Sequence, residues 1–191
     1  MHRLSTGFIL GYHGCKTSVA ETLLAGEAFK PSTNDWDWLG SGVYFWESNP
    51  QRALDWARTI HGPEDGCAVG AIIDPGLCLD LTTSSGLAAV KEGYDTLALA
   101  FELAGSRMPR NTQRGPAAPD RVVRRLDRAV IHMVHDLVAA AGRPKIDTVK
   151  GVFTEGPPLY PGGDILALTH IQFAVCNLDC IKGVFRVQKT P

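Results

Sequence analysis

The sequence predicts an α+β domain, and three observations carry that expectation. β-type runs lie toward both ends of the chain, a long helical stretch separates them, and neither an internal repeat nor a regular strand–helix alternation joins them. With 191 residues there is material for one substantial core, or at most one domain with an insertion. The chain therefore reads as a single domain, 1–191, interrupted by a helical insertion over about 84–143.

Taken in order, Gly7 to Tyr12 reads as a first strand ending at His13-Gly14, and Ser18 as the cap of a helix over Val19 to Ala25 that Gly26 stops. The run Lys30 to Trp38 is punctuated by Pro, Asn and Asp and reads as a loop, whose two tryptophans are expected to pack over something. Gly40 and Gly42 bracket Ser41 and lead into Val43-Tyr44-Phe45-Trp46, a tight turn followed by a strand. Ser48-Asn49-Pro50 starts a helix whose apolar face is Ala53, Leu54, Trp56, Ala57 and Ile60. Cys67 to Ile73 and Leu77 to Leu81 are strands about the turn Asp74-Pro75-Gly76.

Leu87, Val90, Tyr94, Leu97 and Phe101 then recur at helical spacing, the Pro-, Gly- and Arg-rich segment Arg107 to Pro119 breaks the pattern, and a second helix runs from about Asp120 to Ala141. Strands return at Lys150 to Thr154, His170 to Cys176 and Ile181 to Val187, with a Pro- and Gly-rich loop at Glu155 to Gly163.

Composition narrows the function classes. Apolar residues make up 45% and charged residues 20%, which excludes a disordered chain, and 19 basic against 20 acidic residues leave no global field to gather nucleic acid or an anionic membrane. No segment approaches a membrane span, and Phe8-Ile9-Leu10 is too short for a secretory signal. Five cysteines without a C-x-x-C pair point to reduced thiols and a cytoplasmic setting. The dinucleotide fingerprint G-x-G-x-x-G fails, because Phe45 occupies its last position and a loop precedes it. His170, Cys176 and Cys180 lack the partner pair of a metal site, and no metal is expected. Arg107, Arg110, Arg114, Arg121, Arg124, Arg125 and Arg128 cluster in the insertion, as a solvated helix face or a patch for phosphate.

A strand ending in His13-Gly14, a G-x-G-V-Y-F strand followed by a helix with Ala53 and Trp56, and a late strand His170-Ile171-Gln172-Phe173-Ala174-Val175 together resemble the ADP-ribosyltransferase superfamily. The likeness is to its poly(ADP-ribose)-polymerase-like, diphtheria-toxin-like branch, whose three motifs centre on a histidine, a tyrosine and a glutamate. It implies a split β-sheet core and NAD as substrate. His13 would bond ribose hydroxyls, Gly14 would offer its backbone N–H and C=O to the carboxamide, where a side chain would obstruct, Tyr44 would stack on nicotinamide and Trp56 would form a second wall. Two positions depart from the family pattern: Gln172 replaces the glutamate, and Cys15 follows His-Gly in place of a small hydroxyl residue.

Glutamine keeps the hydrogen bonds of that position without the charge. The family chemistry passes through an oxocarbenium-like ribose, so this lost charge matters, and Glu155, with Asp164 as second choice, is the candidate replacement carboxylate. The function expected by resemblance is mono-ADP-ribosyl transfer from NAD to an unidentified macromolecular acceptor, protein or nucleic acid, without chain elongation. NAD hydrolysis by an NAD-depleting enzyme and a non-catalytic NAD- or ADP-ribose-binding module are the alternatives. The oligomeric state is left open.

Overall fold

The structure is a computed structural model that describes residues 7–113, 120 and 122–188. Its described elements run β1 (Ile9–Lys16), α1 (Thr17–Leu24), β2 (Val43–Glu47), α2 (Pro50–His61), β3 (Gly66–Ile73), β4 (Cys78–Asp80), α3 (Ser84–Leu103), β5 (Asn111–Thr112), β6 (Val123–Arg124), α4 (Arg125–Ala140), β7 (Thr148–Phe153), β8 (His170–Val175) and β9 (Ile181–Arg186). Seven strands form one mixed sheet in the order β4-β7-β8-β2-β1-β3-β9, while β5 and β6 pair separately. The fold is therefore α+β, as the sequence predicts. Within the large sheet β4 and β7 are parallel and every other pair is antiparallel.

Several boundaries differ from the sequence reading. β1 does not end at His13-Gly14: it pairs with β3 from Ile9↔Ile73 to Lys16↔Gly66, because a partner strand on one side suffices to hold it extended. Ser18 is not a cap. α1 begins at Thr17, whose N–H and hydroxyl both bond the carbonyl of Asp65, so tertiary contact replaces the local cap. The second helix starts at Arg125 rather than Asp120, since Asn111 Oδ1 accepts from the N–H groups of Leu126 and Asp127 and fixes the first turn there. Asn49 caps α2 at Arg52 N–H, with Pro50 in the first turn as expected.

The sheet is continuous in hydrogen bonding, yet it nearly divides at one place. β1 and β2 pair through Gly11↔Glu47 and Tyr12↔Trp46, and past that point they part. The seven strands form one sheet, not two halves, and β1 and β2 enclose a fork while remaining joined at one end. Side chains alternate across the strands, so Cys15, Val43 and Phe45 enter one core with α1. Gly14 faces the other way, onto α2. On that second face, Leu39, Leu79, Val149 and Ala174 form another core with Ile131, Val134 and Val138 of α4. α2 covers β1 and β3, α4 covers the β4–β7–β8 side, and the strip of β2 and β8 between the two helices is left as a floor.

No described helix is long and apolar enough to cross a membrane. All five cysteines are free thiols.

Candidate functional site

A cavity of about 420 Å³ opens over that floor. His13, Gly14, Tyr44, Trp56, Glu155 and Gln172, the six positions singled out in the sequence, all line it. β8 pairs with β2 as Tyr44↔Ala174 and Trp46↔Gln172, which sets Tyr44, Trp46, His170 and Gln172 on one face of the sheet.

His13 spans the fork. Its Nδ1 lies 2.9 Å from the carbonyl oxygen of Tyr44, and because a carbonyl can only accept, Nδ1 carries the hydrogen and Nε2 presents a lone pair. Phe29 and Phe45 hold the ring edge-on and tilted. Burial lowers the imidazole pKa below its usual value, the bond to Tyr44 opposing, so the neutral tautomer prevails at neutral pH.

The backbone of Gly14 is turned into the fork. Ser48 N–H donates to Leu10 C=O on one side of β1 and Thr17 N–H to Asp65 C=O on the other, each at 2.9 Å. In an antiparallel ladder this alternation directs the N–H and C=O of even-numbered residues toward β2. Gly14 lies beyond the last β1–β2 pair, where β2 has drawn away. The reason that a side chain is excluded differs from the sequence expectation, which assigned it to obstruction of a ligand. A Cβ at Gly14 would run into the carbonyl oxygen of Ala53 and crowd Trp56, so close approach of α2 demands the glycine. Gly42 is likewise small for packing rather than for a ligand, since a Cβ there would meet the backbone of Val175.

Tyr44 is fixed at its far end. Its hydroxyl donates to Gly40 C=O at 2.8 Å and accepts from Leu39 N–H at 2.9 Å, which leaves the ring face as the part a ligand can use. Burial, followed by the nearby Asp37 carboxylate, drives its phenol pKa upward, so the hydroxyl stays protonated. Trp56 packs on Trp46 with ring centroids 5.6 Å apart.

Gln172 is oriented by Trp38, whose indole N–H donates to Oε1 at 3.2 Å. An indole nitrogen has no acceptor capacity, so the amide oxygen must face it and the amide NH2 is the end left for a ligand. This confirms that Trp38 of the aromatic loop packs over something: it also meets Phe153 edge-on and lies under the Arg124 guanidinium at 4.6 Å. Trp36, its neighbour in the loop, is half exposed at the rim.

Glu155 is inside the cavity but not beside Gln172. The β7–β8 register sets Gly151 opposite Gln172 and Phe153 opposite His170, and Glu155 continues two residues further. Its carboxylate lies between Arg52 at 3.6 Å and Arg124 at 3.7 Å. Burial raises its pKa against the pull of both guanidiniums. Asp164, the second-choice carboxylate, is exposed and away from the cavity lining.

Arg52 and Arg124 were missed as site residues, because charges on a helix and in an insertion carry no local signal of the cleft they reach. Arg124 leaves the expected basic cluster to enter the cavity, Arg107, Arg110 and Arg125 are exposed, Arg128 is half buried, and Arg114 and Arg121 fall outside the described residues. His170, Cys176 and Cys180 do not converge: Cys176 Sγ donates to Ser41 C=O, and Cys180 lies in the core on the opposite face. Cys15 turns into that same core, where burial pushes its thiol up to about 12.

Compared with family models, curated proteins and solved structures, the chain matches none of them.

Proposed function

We propose that this chain binds NAD in the fork and transfers a single ADP-ribose to a protein or nucleic-acid acceptor, on an ADP-ribosyltransferase-like fold. One observation carries the reading: the His13 imidazole, the backbone edge at Gly14 beyond the last β1–β2 pair, the face of Tyr44 and the amide of Gln172 come from three distant segments and line one cavity. Its volume falls within the range that small-molecule sites occupy.

Each group then has a task that its chemistry suits. Gly14 meets the carboxamide with one donor and one acceptor, Tyr44 stacks on the pyridine ring, and His13 Nε2 accepts from a ribose hydroxyl. The NH2 of Gln172 donates to the oxygen of a nicotinamide-ribose hydroxyl. Holding the ribose and nicotinamide in fixed relation is the main source of rate at such a site. Free thiols throughout suit a cytoplasmic protein.

Incubating the purified chain with NAD and following nicotinamide release tests the proposal. Label from NAD should appear on a macromolecule in cell extract. Free ADP-ribose without labelled acceptor would make the chain an NAD glycohydrolase, and NAD binding with no nicotinamide release would make it a binding module.

The neutral Gln172 favours that last alternative, and one substitution addresses it. Gln172→Glu keeps the acceptor for Trp38 N–H and adds charge facing the ribose; since such preorganised charge is worth several kcal/mol, nicotinamide release should rise by roughly tenfold or more. Complete loss of release in this variant, with NAD still bound, would show that the amide itself is required.

A further inference from the structure

Three buried polar atoms of cavity residues have no hydrogen-bond partner among the described residues: His170 Nε2, the Trp46 indole N–H and Arg52 Nε–H. Buried polar atoms are ordinarily bonded, so unpaired ones on residues that line a cavity call for a partner that the described residues do not supply. His170 is only 6% exposed, and its ring is held flat on Phe153 with centroids 4.9 Å apart and planes 3° off parallel. Its Nδ1 lies 2.6 Å from Leu168 C=O and must be the protonated nitrogen. Nε2 is therefore a lone pair fixed in direction, and the Trp46 ring centroid is 6.2 Å from that of the imidazole.

We propose that His170 is the catalytic base of the transfer: its Nε2 takes the proton of the incoming hydroxyl, while Trp46 N–H donates to the same oxygen. The proposal rests on the NAD reading above. A hydroxyl, whether of water or of an alcohol, has one hydrogen for His170, one lone pair for Trp46 and one more with which to attack. That oxygen bonds to C1′ of the nicotinamide ribose, the C1′–N bond breaks with its electron pair leaving on nicotinamide, and the hydroxyl proton passes to Nε2 and then to water. His170 thereby supplies the proton acceptance that Gln172 cannot.

Among the described residues the charged groups that act on His170 are Arg52 on α2 and Arg124 on β6, both paired with Glu155 beyond β7, which Asp120 neighbours through its bond to Gly156 N–H. Burial lowers the His170 pKa and both arginines lower it further, against the bond to Leu168. The base form thus persists below the usual histidine range, and turnover should fall only as pH drops through that lowered value. Burial raises the Glu155 pKa while that of His170 is lowered, so the variant must assign the limb.

The test measures nicotinamide release from NAD by the full chain and by His170→Gln across acidic to neutral pH, with methanol as the alcohol probe. The expected result is a kcat about 100-fold lower in His170→Gln, KM within about threefold, and loss of the acid limb. Methyl ADP-ribose from the unsubstituted chain identifies alcohol as acceptor, and ADP-ribose alone identifies water; both fit a hydroxyl seat. Trp46→Phe, which removes only the N–H, should lower kcat about tenfold with KM and the acid limb retained. A His170→Gln chain with kcat within threefold and its acid limb intact overturns the proposal, and if that variant does not fold, an unchanged kcat in Trp46→Phe overturns it. Absence of NAD binding by calorimetry in the unsubstituted chain overturns the NAD reading and this proposal with it, whereas bound NAD and equal turnover in His170→Gln overturn this proposal alone.

Discussion

Gly14→Ala is expected to lower the melting temperature by roughly 6–12 °C, corresponding to a loss of about 3 kcal/mol for a domain of this size. The added methyl would run into the backbone oxygen of Ala53, with Trp56 and the methyl of Ala57 on its other sides. Ala53 and Ala57 are fully buried, so α2 cannot withdraw without opening the interface that holds it on β1 and β3. Such a clash with helix backbone cannot be relieved by a rotamer change, which sets the cost at the upper end of overpacking. The same displacement would move Trp56 and Arg52 at the cavity wall, so the NAD affinity proposed above should fall along with stability. Thermal unfolding followed by circular dichroism, with calorimetric NAD binding at a temperature where the variant is folded, checks both. A variant as stable as the parent would mean that α2 does not lie on Gly14 as described.

On the function proposed above, Tyr44→Ala should reduce nicotinamide release about 100-fold or more, because the surface that stacks on the pyridine ring goes with the side chain. Tyr44→Phe separates ring from hydroxyl. It retains the face but strands Leu39 N–H and Gly40 C=O, so it should cost about 1–2 kcal/mol in stability while NAD turnover stays within a few-fold. His13→Ala, which removes the only side chain spanning the fork among the described residues, should resemble Tyr44→Ala in turnover. The readouts are nicotinamide release and urea denaturation for each variant. Equal turnover in Tyr44→Ala, His13→Ala and the parent would mean that the NAD site is misplaced.

How much was legible beforehand follows from the range over which each signal acts. The strand over Val43–Glu47 and the helix from Pro50 to His61 were readable because β-favouring aromatics, an Asn cap and an early proline act within a few residues. The end of β1 was misread because glycine after histidine looks like a stop, whereas eight cross-strand pairs with β3 keep the chain extended. No local pattern could have linked Trp38 to Gln172, 134 residues apart, or shown that Arg124 from the insertion lies over Trp38 in the cavity.

The sequence by itself determined the α+β class and most strands and helices, since periodicity and turn chemistry are written locally. Tertiary structure alone decided that the sheet forks after Tyr12, that Gly14 is small for a helix rather than for a ligand, and that Glu155 is held by Arg52 and Arg124 beyond the end of β7 instead of beside Gln172. Those facts depend on strand register and on which helix covers which strands. Register couples positions far apart in the chain through hydrogen bonds and close packing, and no short-range preference encodes it.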